Sequence, residues 1–455
     1  MAALMVSISG IRGIVGESLT PQVIQKYTLA FGSYLNSKKV IVGGDSRTSG
    51  TFIRNLVKGC LEATGCEVID IGIVPTPTVQ MEISYHHAAG GVAITASHNP
   101  PEWNGLKFMD ANGRFLNPEK AEQIYKAADQ TQFVYQPWKK IGKERVDPDA
   151  NRRHIAALLQ LPYIDVNKIR QRKFKVVADC VNGAGGLIIP DLLTELGCEI
   201  QVLNGDANGH FAHTPEPLPE NLGELCSQVK KYKADIGFAV DPDVDRCAII
   251  DNTGNPIGEE YTLALAVKFI LMRKLGPVVV NMSTSRASED VTRYYNCRFI
   301  RTKVGEINVA EEMAREEAVI GGEGNGGVIL PDLHLGRDAP LAVALTLQFL
   351  METGSTMHDL FLSLPQYKIV KAKINTEGLD PDKILEKVIR AHADQPIDDL
   401  DGIKIDTDTT WVHLRKSNTE PIIRIMAEAP TEAEARQLVN RYSDEIKGLI
   451  KLEVQ

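Results

Sequence analysis

The sequence predicts an α/β fold: three topologically similar domains with mainly parallel, mixed sheets, then a smaller C-terminal α+β domain, around a central cleft. Three observations carry that expectation. The chain has 455 residues, more than a single hydrophobic core normally serves. Its apolar strands are continuous rather than alternating, as strands covered on both faces are. A β-α-β-α-β order also recurs three times, and each round closes on a loop of unusual composition.

The first round reads KKVIVGGDSR (38–47), a helix, GCEVIDIG (65–72), a second helix and GGVAITASHNP (90–100). The second reads FKVVADCVNGAGG (174–186), helix, GCEIQVLNG (197–205), helix and ADIGFAVDPDVDR (234–246). The third reads GPVVVNMSTS (276–285), helix, NCRFIRTKVG (296–305), helix and EAVIGGEGNGG (317–327). Val- and Ile-rich runs of this kind imply parallel sheets flanked by helices. Ligands of such sheets bind beyond the carboxyl ends of the strands, so the three closing loops are expected to face one shared cleft. The tail differs: KIVKAKIN, helix-like DPDKILEKVIRAHADQ, GIKIDTD, TWVHLRKSNTEPIIRIMAEA and an amphipathic helix from about Thr431 read as a small α+β domain. The expected domain limits are 1–150, 151–254, 255–366 and 367–455.

Composition narrows the function. A net charge of −9 argues against general affinity for nucleic acid or an anionic membrane, so bases that bind an anionic substrate must be gathered locally. Seven cysteines stand singly without a C-x-x-C pair, which suggests buried thiols in a reducing cytoplasm. The N-terminus, MAALMVSISG, lacks the basic and apolar regions of a signal peptide. The most apolar helical stretch, YTLALAVKFIL, carries Lys268 and is too short to span a bilayer. A soluble cytoplasmic protein is expected, with no nucleic-acid or membrane partner.

The loops carry the chemistry. Asp241, Asp243 and Asp245 alternate on a Pro-containing turn, where like charges raise one another's pKa unless a cation intervenes. A hard divalent ion such as Mg2+ resolves that conflict. An EF-hand does not fit, because Arg246 stands at its sixth position and Asn252 at its twelfth. An exposed acidic turn is the competing reading, and the strict spacing directly after IGFAV favours metal.

Ser97 ends the strand of the first round, and no G-x-S-x-G elbow surrounds it, which disfavours acyl transfer. His98 follows directly, and neighbours on an extended chain point apart, so a Ser–His dyad is not expected. A serine meeting a three-aspartate metal site suits phosphoryl transfer; simple turn capping by Ser97 and Asn99 is the alternative. RKSNTEP gathers Arg415, Ser417, Asn418 and Thr419, with Arg424 on the next strand, as a phosphate cradle would. An ordinary polar turn reads the same way in isolation. GGEGNGG permits close backbone approach, and its Glu323 and Asn325 suit hydroxyl groups, although no Walker lysine follows. Arg12 in GIRGIVG and Lys107 in NGLK add cations. Nucleophile, metal, hydroxyl reader and anion clamp together suit a phosphosugar.

With TASHNP, DPDVDR, GEGNGG and RKSNTEP in this order and spacing, essentially the whole chain resembles the α-D-phosphohexomutase family. The resemblance implies three similar α/β domains and a smaller fourth around a cleft. It also implies reversible phosphate transfer between the 1- and 6-positions of a hexose. Ser97 then matches the family's phosphoserine, and a hexose 1,6-bisphosphate is the intermediate and activator. Ser97, Asp241, Asp243 and Asp245 match the Mg2+ site, and Glu323 the sugar-hydroxyl contact. Arg415, Ser417, Asn418 and Thr419 match the distal phosphate site. Arg12, Lys107 and Arg246 match positions near the transferring phosphate, and Lys303 in TKVG a substrate-facing loop. Members of the family usually end the sugar loop Ser-Gly-His, where this chain has Asn325-Gly326-Gly327, similar to the Asn-Gly-Gly form of a prokaryotic branch named phosphoglucosamine mutases or phosphomannomutases. That shifts the acid–base role toward Lys107, Arg12 and His98. Glucosamine phosphate is the favoured substrate, mannose or glucose phosphate the alternative, with a Mg2+-dependent phosphatase or a silent binding relative behind them.

Overall fold

The structure is a computed structural model that describes residues 4–417 and 422–454. Its first sheet has seven strands in the order Met5–Ser7, Gly10–Ile14, Trp103–Asp110, Gly90–Ile94, Lys39–Gly44, Glu67–Ile73 and Glu144–Val146. The second sheet runs Cys247–Ile250, Ile236–Val240, Lys175–Asp179, Glu199–Leu203; the third runs Gly327–Ile329, Ile320–Glu323, Val278–Asn281, Phe299–Thr302. The triplication is therefore literal. In each round the first strand pairs in parallel with the second and the third, and the third hairpins into an antiparallel strand. The loops at 95–102, 241–246 and 324–326 are those three hairpin connections.

Burial explains the unbroken apolar runs. Gly90–Ile94, Ile236–Val240, Val278–Asn281 and Ile320–Glu323 are buried at every position, because helices cover both faces of their sheets. The helix Glu259–Leu271, which holds the YTLALAVKFIL stretch, is buried nearly all round. Among the described residues no helix is long and apolar enough to cross a membrane. The second and third rounds share one large core, and each keeps a smaller cluster of its own, around Val177 and Leu225 in the second and Val279 and Val309 in the third. One hydrophobic cluster runs from Ile155 through Phe238, Leu263 and Phe349 to Leu364 and underlies both sheets. All seven cysteines are unpaired, and burial raises the thiol pKa of Cys60, Cys180, Cys198 and Cys247.

A five-stranded antiparallel sheet follows, in the order Lys368–Asn375, Ile422–Ala429, Trp411–Lys416, Ile403–Asp406, Ile397–Asp398, and the helix Glu432–Val454 packs on it. Its docking on the third round is polar. Arg286 donates to Thr407 O at 2.6 Å and to Asp408 O at 3.0 Å and pairs with Asp406, while Ser283 Oγ meets His413 Nδ1 at 3.0 Å. Val304 N donates to Asp401 Oδ2 at 2.9 Å.

Lys404 lies inside that interface, 1% exposed, over the Trp411 ring at 4.8 Å and with no hydrogen-bond partner for its ammonium. Burial pulls its pKa down to about 7, against an ordinary value of 10.5. Between those values the folded chain binds fewer protons than the unfolded chain, so stability rises with pH across that window. Lys404→Met is expected to raise the first thermal transition at pH 6 by about 4 °C or more, and by clearly less at pH 10. A gain that is equal at both pH values would refute this account.

Candidate active site

The TASHNP loop is built around Arg47. This arginine, 2% exposed, donates to the carbonyls of Ser97 (2.6 Å), Asn99 (2.6 Å), Pro100 (2.6 Å) and Trp103 (2.9 Å). Asp45 pairs with Arg47 Nε at 3.1 Å and accepts from Thr95 Oγ1 at 2.6 Å, and Thr95 Oγ1 accepts from Ser97 N at 2.8 Å. Four carbonyls of a turn that two prolines bar from regular structure are thus held by one side chain. Held in this way, Ser97 adopts φ 50°, in the left-handed region. That overturns the expectation that Ser97 and His98 point apart: the chain is not extended there, and Ser97 Oγ lies 3.3 Å from His98 Nδ1.

Ser97 Oγ also donates to Asp241 Oδ2 at 3.1 Å, across the gap between the first and second rounds. Asp241, Asp243 and Asp245 are all fully buried, and one ligand atom from each lies within 4.8 Å of the others. The protein occupies one oxygen of each. Asp241 Oδ1 accepts from the backbone N–H groups of Asp245 (3.1 Å) and Arg246 (3.2 Å). Asp243 Oδ2 accepts from Thr76 Oγ1 (2.7 Å) and Lys107 Nζ (2.6 Å). Asp245 Oδ2 accepts from Arg337 Nη2 at 2.6 Å. Of the remaining oxygens, Asp241 Oδ2 accepts from Ser97, while Asp243 Oδ1 and Asp245 Oδ1 are buried with no hydrogen-bond partner, the latter 3.8 Å from Arg246 Nε. Buried carboxylate oxygens without partners are costly, and a hard divalent cation satisfies both at once. The donor set fits a metal.

The charges agree. Burial, then Asp245 and Asp243, raise the Asp241 pKa. For Asp243, burial is outweighed by Lys107 and Thr76, which hold it below the usual carboxylate range. Lys107, 3% exposed, is held protonated: burial opposes the charge, and Asp243 and Asp245 outweigh it. His98 is held well below the usual imidazole range by Arg246 first, then by burial and Arg12. Arg12, on the strand Gly10–Ile14, reaches Asn99 Oδ1 at 3.4 Å and loses basicity to burial, partly offset by Asp243. Arg246 Nη1 meets Glu216 Oε1 at 3.2 Å.

Glu323 ends the strand Ile320–Glu323, 4% exposed. Its Oε1 accepts from Asn281 Nδ2 (2.8 Å) and Gly305 N (3.0 Å). Its Oε2 accepts from Arg337 Nη1 (2.8 Å) and, loosely, from Asn325 Nδ2 (3.4 Å). Asn325 Oδ1 is buried without a partner. Arg415 stands opposite Arg424 in the strand pair of the fourth domain, within electrostatic reach of Asp401 and Glu323. Ser417 N donates to Ile422 O at 2.9 Å. Lys303 and Arg424 are exposed, and Asn418 and Thr419 lie outside the described residues.

The residues expected from the sequence thus form one constellation of Ser97, His98, Arg12, Lys107, the three aspartates and Arg246. Glu323 joins it through Arg337, and Arg415 faces Glu323 from the fourth domain. Reading the sequence missed Arg47, Thr76 and Arg337. Arg47 stands three residues after the first repeat strand in GGDSR, and Arg337 directly precedes the helix-capping Asp338.

Comparison with known proteins decides the family. Phosphoglucomutase/phosphomannomutase alpha/beta/alpha domains I, II and III match residues 5–135, 147–254 and 258–367, and the C-terminal domain of the same family matches 371–445. The chain belongs to the α-D-phosphohexomutase family. Among its relatives, a protein named "Phosphoglucomutase/phosphomannomutase" from Thermococcus kodakarensis is 39% identical, over 94% of this chain and 95% of that one. A "Probable phosphoglucosamine mutase" from Methanopyrus kandleri is 37% identical, over 97% and 98%. The crystal structure of a phosphoglucomutase/phosphomannomutase family protein from Burkholderia thailandensis superposes with a TM-score of 0.84 at 25% identity, covering 98% of each chain. The phosphohexomutase described here is accordingly an intramolecular phosphotransferase, and its three-aspartate loop can hold a metal.

Proposed function

We propose that this phosphohexomutase interconverts hexose 6-phosphate and hexose 1-phosphate through a phosphorylated Ser97, with glucosamine phosphate as the preferred substrate. One observation carries the reading: Ser97 Oγ rests on Asp241 Oδ2 beside two unpartnered oxygens, Asp243 Oδ1 and Asp245 Oδ1. A serine alone is a weak nucleophile and its phosphate a poor donor, so the surrounding charge supplies the chemistry. Asp241, Asp243 and Asp245, with the Ser97 phosphate, would hold Mg2+, which offsets negative charge on the transferring group.

The chain's own residues do the rest. Lys107 and Arg12 present fixed positive charge to the phosphoryl oxygens, and Arg246 and Lys303 contact the bound substrate. As the sugar hydroxyl oxygen bonds to phosphorus and the Ser97 Oγ–P bond breaks, the hydroxyl proton passes to the departing Ser97 Oγ, with the neutral imidazole of His98 beside that oxygen as the relay. The same imidazole returns the proton in the reverse sense. Glu323 and Asn325 hold sugar hydroxyls: the loose 3.4 Å contact between them is the one a hydroxyl exchanges into. Arg415, Ser417, Asn418, Thr419 and Arg424 cradle the distal phosphate. A hexose 1,6-bisphosphate forms, turns end for end and phosphorylates Ser97 with its other phosphate, and the fourth domain closes meanwhile to exclude water. The names of several relatives, phosphoglucosamine mutase, support the preference for the amino sugar.

The test is 31P NMR of the phosphorylated enzyme with Mg2+ and a trace of hexose 1,6-bisphosphate, supplied separately with glucosamine 6-phosphate, glucose 1-phosphate and mannose 1-phosphate. Interconversion is expected in all three tubes, fastest with glucosamine phosphate. Steady release of inorganic phosphate without interconversion would make the protein a phosphatase and overturn the reading.

A further inference from the structure

Gly327 raises a steric question. A Cβ built on it would lie 2.3 Å from Cδ of Arg337 and 2.9 Å from its Cγ. Gly327 is not among the residues with positive φ, so its backbone would tolerate a side chain. What forbids one is the arginine.

The Arg337 side chain, 7% exposed, spans three carboxylates: Asp245 of the metal loop (Nη2, 2.6 Å), Glu323 of the sugar loop (Nη1, 2.8 Å) and Glu306 (Nε, 2.9 Å). Glu306 in turn accepts from Gln80 of the first round at 2.9 Å. The flanks of Arg337 are fixed independently. A Cβ on Gly336 would strike Gln80 Oε1 at 2.0 Å, so this backbone sits directly on the first round. Asp338 caps the next helix through Leu341 N and is gripped by His154 and His334 at 2.8 and 2.9 Å. Ala339 N donates to the carbonyl of Val244, at the tip of the metal loop, at 3.2 Å. The guanidinium is thus pre-set, and its planar fork fixes two carboxylates relative to each other in a way an ammonium does not.

We propose that Arg337 is the positioning residue that sets the metal loop against the sugar loop, and that position 327 is glycine because the Arg337 side chain fills the space a side chain there would need. This deepens, and rests on, the mutase reading above. By holding Asp245 Oδ2, Arg337 leaves Asp245 Oδ1 without a hydrogen-bond partner; by holding Glu323 Oε2, it sets the height of the sugar ring over Ser97. The sugar bound in either orientation then meets the same two landmarks.

The experiment is a double-mutant cycle of Gly327→Ala and Arg337→Ala, with Arg337→Lys alongside, read by kcat, KM and thermal unfolding. Gly327→Ala is expected to lower kcat/KM by about 30-fold or more in the parent, as a displacement near 1 Å does, and by less than about 3-fold in Arg337→Ala. Arg337→Lys is expected to lose about 100-fold in kcat with a smaller change in KM. Equal costs of Gly327→Ala in both backgrounds would overturn the space-filling claim, and near-parent kcat in Arg337→Lys would overturn the positioning claim. Should Arg337→Ala not fold, Arg337→Ala/Glu306→Gln removes one of the stranded carboxylates and serves as the background in its place. If the parent converts no hexose phosphate at all, the mutase reading has failed. Thermal unfolding then still judges the contact: Gly327→Ala must lower the transition by about 3 °C or more in the parent and leave it nearly unchanged without Arg337.

Discussion

Ser97→Ala is expected to lower kcat by about 1,000-fold or more, with the fold and the three-aspartate part of the metal site intact. Nothing else in the site can replace the lost oxygen. The neighbouring hydroxyl, Thr95 Oγ1, is engaged between Ser97 N and Asp45, and Thr76 Oγ1 is committed to Asp243. The loop survives the change because Arg47 and Thr95 hold its backbone, not the Ser97 side chain. Alanine tolerates φ 50° about as well as serine does, so the thermal transition should move little. The measurement is initial-rate kinetics by 31P NMR, with Mn2+ binding followed by EPR as the check on the site. Turnover within about tenfold of the parent, with Mn2+ still bound, would exclude a phosphoserine route.

Asp243→Asn is expected to act on both metal and fold. Asparagine keeps the shape but offers no negative charge, so Mn2+ affinity should fall by about 10- to 100-fold and kcat at least in proportion. The larger consequence concerns Lys107. Its ammonium, 2.6 Å from Asp243 and 3.5 Å from Asp245, is buried, and the substitution leaves it only the more distant partner. Removing one member of a buried pair costs about 3 kcal/mol or more, seen as a lower urea midpoint in EDTA. Replacing Lys107 by Met in the same chain should recover part of that stability without recovering activity. Unchanged Mn2+ affinity in Asp243→Asn would remove the aspartate loop from the metal site.

The architecture was legible because its signal is local. Strands buried on both faces must be apolar at every position, so VIVGG, IGFAV and PVVVN announce themselves, and three rounds in the same order fix the topology. The loops were legible for a related reason: each interrupts such a strand with groups that do not belong in a core. What stayed hidden was long-range. Thr76 and Asp243 are 167 residues apart, Arg337 and Asp245 92, and no short pattern links them. The contact between Ser97 and His98 was hidden differently. Alternation along a strand was the right rule for the wrong conformation, since the φ of 50° at Ser97 comes from Arg47, fifty residues upstream in the sequence.

The shared core of the second and third rounds bears on how such a protein can be divided. Three copies of one topology look like exchangeable parts, yet Ile155 through Leu364 form one continuous apolar mass. A chain cut at 254 would lay Leu263, Val267 and Phe269 open to water, and a transplanted round would lack the part of its core that the neighbouring round completes. The aspartate loop and the glycine-rich loop are thus carried on one shared interior and tied to each other across it by Arg337. A cut between the second and third rounds would free these two loops from each other as well as open the core to water.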